Sequence, residues 1–482
     1  MESNIKGLGQ QKVGFWQLVG ATMAGIFLLG YVMFTSGAFM EYGGYAAIYV
    51  GILSFLIVLL VSLPIMEYTR IAPFSGGYYG LSELGLGKGF GKYTSLLNYF
   101  FYVCWQIGNS VEIPEILVVG IYLIYGVLLP VWVFAILAII TATIMFFGAS
   151  RDVRSLTKYV LYSGVAAIPI VLGFSIYVIA KTPYNTVKAL NLFAAPGGFS
   201  GIALGIAISG FLTFVGYGTS LFYTEETKNA KKVTWRAIYT GMLLIVIIGS
   251  IGIYSQIAAV KNISPLTTAA VPIIVAYGPY IGILGEFFLI LIFVAFLWIA
   301  LAAGAGAQAR LLFAMSRDGF IKMKSLSDIN DKTKAPRNAA LFNYILTIIG
   351  IAVLMPVILI TYGYNINSIF YLPFTIFTMG TIMWYFHHFI PDISLYFYLR
   401  KRGTSINLRL ILTSIVAPAA GVVIFSIVFY YGIISNLVEP YLAFVIAGLI
   451  VAFLSGLYVV YKAKRNELGD SVVAYLAEEK GD

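Results

Sequence analysis

Twelve long runs without a charged residue divide this chain. They cover 13–40, 42–66, 93–111, 116–150, 159–180, 189–224, 237–260, 262–285, 287–309, 338–391, 410–438 and 440–461. A helix needs about 20 mostly apolar residues to cross the hydrocarbon core of a bilayer. A water-facing surface cannot be built from such stretches. Composition agrees: 60% of the 482 residues are hydrophobic and 10% are charged, where soluble chains carry about 25% charge. A soluble enzyme, a disordered chain and a collagen-like fibre are excluded. The runs imply an all-α integral membrane protein.

The runs do not map one-to-one onto helices. The 93–111 run continues as a helix past Glu112 and Glu115 to about 124. The 262–285 run carries Pro265, Pro272, Gly278 and Pro279 and reads as an outer loop. The 338–391 run holds two spans, divided near Tyr362-Gly363-Tyr364-Asn365. Twelve transmembrane helices result, at about 15–39, 45–69, 93–124, 130–148, 157–180, 200–224, 235–259, 280–316, 338–361, 367–399, 409–432 and 439–461. Several exceed the minimum length, which implies tilt or cytoplasmic extension. The first follows Glu2, Lys6 and Lys12, lacks an A-x-A cleavage site and reads as a retained span.

The net charge of +10 has a topological origin. Lys and Arg collect on the cytoplasmic side of membrane proteins. With both termini cytoplasmic, 27 of the 30 Lys and Arg fall on inner segments, and Lys181, Lys188 and Lys261 lie on outer loops. Miscounting by one helix would reverse this bias, so an even number of spans has support independent of hydropathy. The expected location is the cytoplasmic membrane, multi-pass, with no nucleic-acid partner. Cys104 is the single cysteine, which excludes an intramolecular disulfide and a cysteine-built metal site. His387 and His388 alone leave little for zinc or haem. No cofactor and no metal are expected.

A helix in lipid must satisfy its own backbone polar groups, so glycine clusters at mid-span need a reason. Span 1 reads Gly20-Ala21-Thr22-Met23-Ala24-Gly25-Ile26-Phe27, with Gly30 following. Span 6 reads Ser209-Gly210-Phe211-Leu212-Thr213-Phe214-Val215-Gly216-Tyr217-Gly218. Interrupted segments in corresponding positions of two halves point to a transporter's central site. Unwinding frees N–H groups that attract a carboxylate and carbonyls that accept an ammonium. A zwitterionic amino acid offers both charges. Close helix packing through small residues accounts for the same glycines, and the pattern alone does not choose between the two.

Four motifs carry a resemblance. Pro73-Phe74-Ser75-Gly76-Gly77-Tyr78-Tyr79, followed by Gly89-Phe90-Gly91, resembles the P-x-S-G-G-x-Y signature of the amino acid–polyamine–organocation permease superfamily. Gly25-Ile26-Phe27 resembles the end of its G-S-G-I-F motif. Phe214-Val215-Gly216-Tyr217, with Glu225-Glu226-Thr227-Lys228-Asn229 behind it, resembles its helix 6 break. Arg310, Ala314-Met315-Ser316-Arg317-Asp318-Gly319 and Ala335-Pro336 resemble the pattern after its helix 8. The matches run in the family's order across about 310 residues.

The resemblance implies a leucine-transporter-like 5+5 inverted repeat plus two C-terminal helices. The implied parts are a cytoplasmic segment 1–14, repeats at 15–181 and 200–402, accessory helices at 403–462 and a cytoplasmic tail at 463–482. It implies substrate held between broken helices 1 and 6, with alternating access. The N–H groups around Ala24, Gly25 and Ile26 would hold a carboxylate. Carbonyls around Phe214, Val215 and Gly216 would hold the amino group, and Phe214 and Tyr217 would line or gate the pocket. The chain departs from the family pattern in four places. Met23 and Ala24 replace a common Gly-Ser, and Gly218 stands where some members carry an acid. Helix 5 has a lysine only at its cytoplasmic start, Lys158. Ala302-Ala303-Gly304-Ala305-Gly306 offers no hydroxyl pair, which disfavours sodium there.

Ionisable residues inside a membrane are costly and by default functional. Trp105, Asn109 and Glu112 share a face of span 3, with Glu115 near it and Pro114 between the acids. Glu112 sits roughly 6 Å from the midplane at 1.5 Å per residue. A carboxyl there can carry a proton with the substrate, pair with a cationic group, or sit protonated against a neighbouring helix. Glu112 and Glu115 are therefore the proton-coupling candidates. Glu67 is placed to pair with Arg70, and Glu286 lies near an outer end. His387, His388 and Asp392 fall near the inner end of span 10 and read as interfacial. Glu225 and Glu226 read as a solvated or conformation-dependent ion-pair network with Lys228, Lys231 and Lys232. Trp298, mid-span 8, borders the pocket or packs against lipid.

These features point to a secondary-active amino acid transporter, proton-coupled or exchanging, whose partners are an amino acid or related amine, protons and the bilayer. A polyamine or organic-cation carrier and a non-transporting membrane amino-acid sensor are the rivals. No nucleotide-binding loop, carboxylate–histidine metal set or nucleophile elbow supports an ATP-driven pump or an enzyme.

Overall fold

Peptide groups surrounded by hydrocarbon must find partners within their own segment, and this chain answers with helices. The computed structural model describes residues 8, 11–269, 271–405, 407–432, 434–436 and 441–478. Parts of the expected terminal segments, 1–7, 9–10 and 479–482, lie outside the described residues. The main helices are α1 (Phe15–Ile26), α2 (Ser36–Gly43), α3 (Ala47–Ile71), α4 (Tyr78–Leu86), α5 (Lys88–Tyr125), α6 (Val131–Ala149), α7 (Val153–Lys181) and α8 (Phe199–Gly205). They continue with α9 (Ala230–Ala259), α10 (Pro272–Arg317), α11 (Arg337–Tyr362), α12 (Ile366–Lys401), α13 (Ala417–Gly432), α14 (Tyr441–Lys464) and α15 (Val473–Glu478). An isolated bridge, Val13 with Thr227, is the extended pairing among the described residues.

Eleven helical stretches among the described residues are long and apolar enough to cross a membrane, and Phe15–Ile26 is a shorter apolar helix. The first long stretch, Leu28–Ile71, has 44 residues. It turns at Gly44, whose φ of +54° suits glycine, and α2 packs back on α3. The stretch expected as one span over 15–39 is thus two helical pieces that meet at Phe27.

The 262–285 stretch departs from its expectation as a loop. Ser264–Thr267 forms a helical turn, and α10 begins at Pro272 and runs 46 residues. Proline suits the first turn of a helix, where its missing N–H costs nothing. Here Pro265 and Pro272 mark helix starts, and Pro279 lies inside α10 just before its kink. The true break comes at Gly282, with φ 66° and ψ 173°.

Burial separates centre from rim. In the most apolar windows of α5 and α12, 67% and 61% of residues are buried, against 22% in α11 and 28% in α14. The rim helices expose Val353, Val357 and Ile360 on one face and Leu449, Phe453 and Leu457 on another. Apolar patches of that extent require a covering.

Beyond α14 the chain folds back beneath the bundle. The Asp470 N–H donates to the Asp318 carbonyl at 2.9 Å, and Lys88 pairs with Asp470. Glu467 bridges Lys322 at 2.8 Å and Lys462 at 3.0 Å. Hydrogen bonds from these two lysines hold its carboxyl down at about 2. A depressed carboxyl stabilises the contact above its ordinary value and loses that contribution as pH falls toward about 2. Because its Lys322 arm is exposed, salt screens the bridge as well. Limited proteolysis beyond Lys464 should therefore quicken in 1 M salt and in Glu467→Gln at pH 7. Equal cleavage rates in all samples would show that the bridge does not hold the strap.

Candidate functional site

Span 1 breaks at a residue that is not glycine. Phe27 adopts φ 75° and ψ 78°, and its N–H closes the end of α1 on the Met23 carbonyl at 2.8 Å. A non-glycine residue in this region is uncommon and marks a constrained site. A new helical piece starts at Leu28. The first residues of a helix have N–H groups without a partner in its ladder. Leu28, Leu29 and Gly30 occupy that position, and none of them bonds back to α1.

The expected donors Ala24, Gly25 and Ile26 lie within α1. The ladder of α1 runs through Ala24, Gly25 and Ile26, so their N–H groups are engaged and their carbonyls are the groups released. The free N–H groups lie one turn later, because the chain reverses its φ at Phe27 and not at Gly25.

Span 6 changes pitch where span 1 reverses. α8 passes into a π-helical turn at Ile206–Gly210, a short α piece, and then a 3-10 helix over Val215–Glu226. Phe214 is the junction, at φ −93° and ψ 2°. A 3-10 run of 12 residues is far beyond the usual three or four. Its i→i+3 bonds engage the carbonyls of Phe214, Val215 and Gly216 once each, and the Thr219 hydroxyl donates to the Gly216 carbonyl at 2.9 Å. In place of the unwound, free carbonyls expected here stands a tightened helix in which Phe214 and Val215 keep a second carbonyl lone pair and Thr219 takes that of Gly216.

The two irregular segments cross at their glycines. A Cβ on Gly25 would fall inside the Gly216 carbonyl oxygen, and one on Gly216 would fall inside that of Gly25. The backbones therefore touch with no room for any side chain. Beside the crossing lies a small cavity of about 30 Å³, enough for about two waters. Ala24, Gly25, Val215, Gly216 and Asn109 border it, as does Trp105.

Other expected residues lie elsewhere. Trp298 donates from Nε1 to the Thr141 hydroxyl at 2.9 Å and braces α10 against α6. The Phe214 ring packs edge-on to Tyr31 at 6.0 Å. Tyr217 bonds His388, at 3.0 Å between its hydroxyl and Nε2. Ile26 is buried without bordering the cavity. Glu112 is half-buried; Glu115 is buried, with Oε1 unpartnered. Helical spacing puts Glu112 on the face of Trp105 and Asn109, yet neither glutamate borders the cavity.

The cavity wall also holds residues that sequence reasoning did not assign to it. Tyr78, Asn98, Thr219, Trp384 and His387 border it. Tyr78 belongs to the Pro73–Tyr79 motif, which was a usable signal. His387, His388 and Asp392 were placed at a membrane edge because Asp392 ends an apolar run. They are instead at most 2% exposed, because α12 continues to Lys401 and carries them into the packed centre.

Below the cavity an ion-pair network closes the bundle. Arg310 donates from Nε and Nη2 to the Glu226 carboxylate at 2.5 and 3.2 Å, and its guanidinium lies 4.6 Å from the Tyr223 ring. Arg317 grips Glu225 in the same two-pronged way, at 2.8 and 3.2 Å. The Ser75 N–H donates to Glu225 at 2.9 Å, and Tyr79 donates to Asp318 at 2.7 Å. Lys92 pairs with Glu83 at 3.1 Å. Burial pushes the Glu83 carboxyl up, and the Lys92 charge offsets only part of that. The network was expected with Lys228, Lys231 and Lys232 in solvent. Arg310 and Arg317 are the partners because the 3-10 segment delivers both glutamates to the end of α10, and the Arg310–Glu226 pair is buried. Arg70 meets Glu67 at 3.8 Å, as its i,i+3 spacing implied.

A family profile described as "Amino acid permease" matches residues 13–459. The branched-chain amino acid permease BcaP of Lactococcus lactis subsp. cremoris (strain MG1363) is 26% identical over 309 residues. That alignment covers 60% of this chain and 64% of the relative, so the match spans just under two thirds of the relative's length.

Proposed function

The chain belongs to the amino acid permease family, within the amino acid–polyamine–organocation superfamily, and from that premise we propose how it works. It is a multi-pass membrane transporter rather than an enzyme. Our reading is a secondary-active carrier that moves amino acids across the cytoplasmic membrane by alternating access, with proton coupling or exchange. We assign twelve crossings, both termini cytoplasmic, with repeats at 15–181 and 200–402 and accessory helices at 403–462.

The observation that carries this reading is the reciprocal contact of Gly25 and Gly216 beside a small cavity. A substrate carboxylate suits the N–H groups of Leu28, Leu29 and Gly30, which point back toward the break. The ammonium suits the carbonyls released at Ala24, Gly25 and Ile26 and the spare lone pair at Val215. Neither charge needs a charged side chain, and no Asp, Glu, Lys or Arg borders the cavity. A polyamine, with two or more ammonium groups, would find no carboxylate there. At about 30 Å³ the cavity must widen to take an amino acid. The 3-10 segment, held by Arg310 and Arg317, is the element whose release would open the inner side. Glu112 and Glu115 remain coupling candidates on α5.

Proteoliposomes loaded with unlabelled amino acid test the reading. Branched-chain amino acids are the first to try, given the substrate in the relative's name. Counterflow of labelled amino acid into loaded vesicles is the expected result. Tight binding without counterflow would overturn transport and favour a sensor.

A further inference from the structure

α12 carries three ionisable side chains into the centre of the bundle. His387, His388 and Asp392 are 1%, 0% and 2% exposed. His388 and Asp392 stand four residues apart and share a helix face. Neither Asp392 oxygen has a hydrogen-bond partner, and the same holds for both His387 nitrogens and for Nδ1 of His388. A buried carboxylate is tolerated only if it pairs with a cation or carries a proton.

The surroundings favour the proton. Tyr217 from the 3-10 segment and Tyr78 from α4 lie close enough for the Asp392 charge to act on their hydroxyls. Tyr102 from α5 stands next to Tyr78. The other elements packed on α12, namely α3, α11, the π-helical turn Leu412–Val416, α13 and α14, place no charged side chain in an ion pair or hydrogen bond with Asp392 or either histidine among the described residues. No group of three metal-ligating side chains occurs among the described residues either. The site therefore offers acceptors and neutral hydroxyls with no counter-cation.

Its position couples it to the moving parts. His387 borders the cavity. The Tyr78 ring lies tilted, 5.0 Å from the His387 ring and 4.4 Å from that of His388. His388 Nε2 meets the Tyr217 hydroxyl at 3.0 Å, one residue past Gly216. Any shift of the 3-10 segment that widens the cavity must change that bond. By contrast, Glu112 is half-buried, and neither Glu112 nor Glu115 borders the cavity or bonds the 3-10 segment.

We propose that Asp392, one helical turn from the His388–Tyr217 bond, binds the proton that travels with the amino acid. The carboxylate takes the proton while the site faces outward, which makes the buried group neutral. Movement of the 3-10 segment breaks the Tyr217–His388 bond and exposes the carboxyl inward, where it returns the proton to water. This assignment rests on the transport reading above and selects symport from its two modes.

The test compares counterflow with uptake driven by an inward proton gradient, in proteoliposomes of wild type and Asp392→Asn, using the amino acid that gives counterflow. Asparagine keeps the shape and stays neutral. The expected variant retains counterflow but loses gradient-driven accumulation by about tenfold or more, with a flat pH profile. A second measurement needs no variant. Substrate added to unbuffered wild-type protein should draw protons from solution, and His388→Gln should weaken that uptake. Gradient-driven accumulation equal to wild type in Asp392→Asn would overturn the site, as would its loss in Glu115→Gln alone. Wild-type counterflow without any response to the gradient or proton uptake would also overturn it, leaving an exchanger. Absence of wild-type counterflow would overturn the transport reading itself.

Discussion

Gly25→Ala should lower amino acid uptake by about 10- to 100-fold while leaving a monodisperse protein. The single added methyl must displace the Gly216 carbonyl and the Thr219 hydroxyl. Overpacking of this kind costs about 1–3 kcal/mol, and each 1.4 kcal/mol is roughly tenfold in affinity. The strain falls where the two irregular segments cross, so it is relieved by spreading the groups proposed to hold the substrate. Gly25→Leu should abolish binding outright, since its side chain would fill the crossing. Gly173→Ala is the control. Nothing lies within 4 Å of the position its Cβ would take, and alanine is the better helix former by about 1 kcal/mol. Its uptake should match wild type. Wild-type affinity in Gly25→Ala would show that the crossing is ordinary helix packing.

The largest loss of stability should follow Arg310→Met. Arg310 is buried, and its two bonds to Glu226 are supported by a third to the Gly306 carbonyl at 3.1 Å. Removing one partner of a buried pair leaves an uncompensated charge and costs about 3–5 kcal/mol. Replacing both with apolar groups is often close to neutral. Arg310→Met should therefore unfold at a clearly lower temperature, and Arg310→Met combined with Glu226→Leu should recover most of that loss. Transport should not recover in the double variant, because the 3-10 segment would have lost its releasable tie to α10. Lys88→Ala makes a useful contrast. Its pair with Asp470 is exposed, and such pairs are worth about 0–1 kcal/mol. A single Arg310 variant as mild as Lys88→Ala would show that Glu226 finds another partner.

Much of this architecture was legible before any coordinates. Charge-free runs marked the membrane stretches because hydrocarbon admits few charges and little irregular backbone. Gly25 and Gly216 stood out because glycine at mid-span is costly without a reason, and the two meet in space. The rest was hidden for identifiable reasons. Phe27 carries the left-handed break, and no propensity rule points to a phenylalanine there; tertiary packing imposes it. Pro272 reads as a loop signal in the sequence, although proline is equally at home at a helix start. Trp298 has the right depth but the wrong azimuth, and depth is all that a single span reveals. His387, His388 and Asp392 were misplaced because a charge was read as a membrane boundary, when burial against α4, α5 and the 3-10 segment holds them inside. Arg310 and Arg317 were recognised as a motif, but their partnership with Glu226 and Glu225 spans more than 80 residues of sequence and has no local signature.

A density map of the protein with an amino acid bound tests the account most directly. The solute should lie against the Gly25–Gly216 crossing, its carboxylate within hydrogen-bond reach of the Leu28, Leu29 and Gly30 N–H groups and its ammonium facing released backbone carbonyls. A solute seated elsewhere, or a first span running as one regular helix through Phe27, would contradict it.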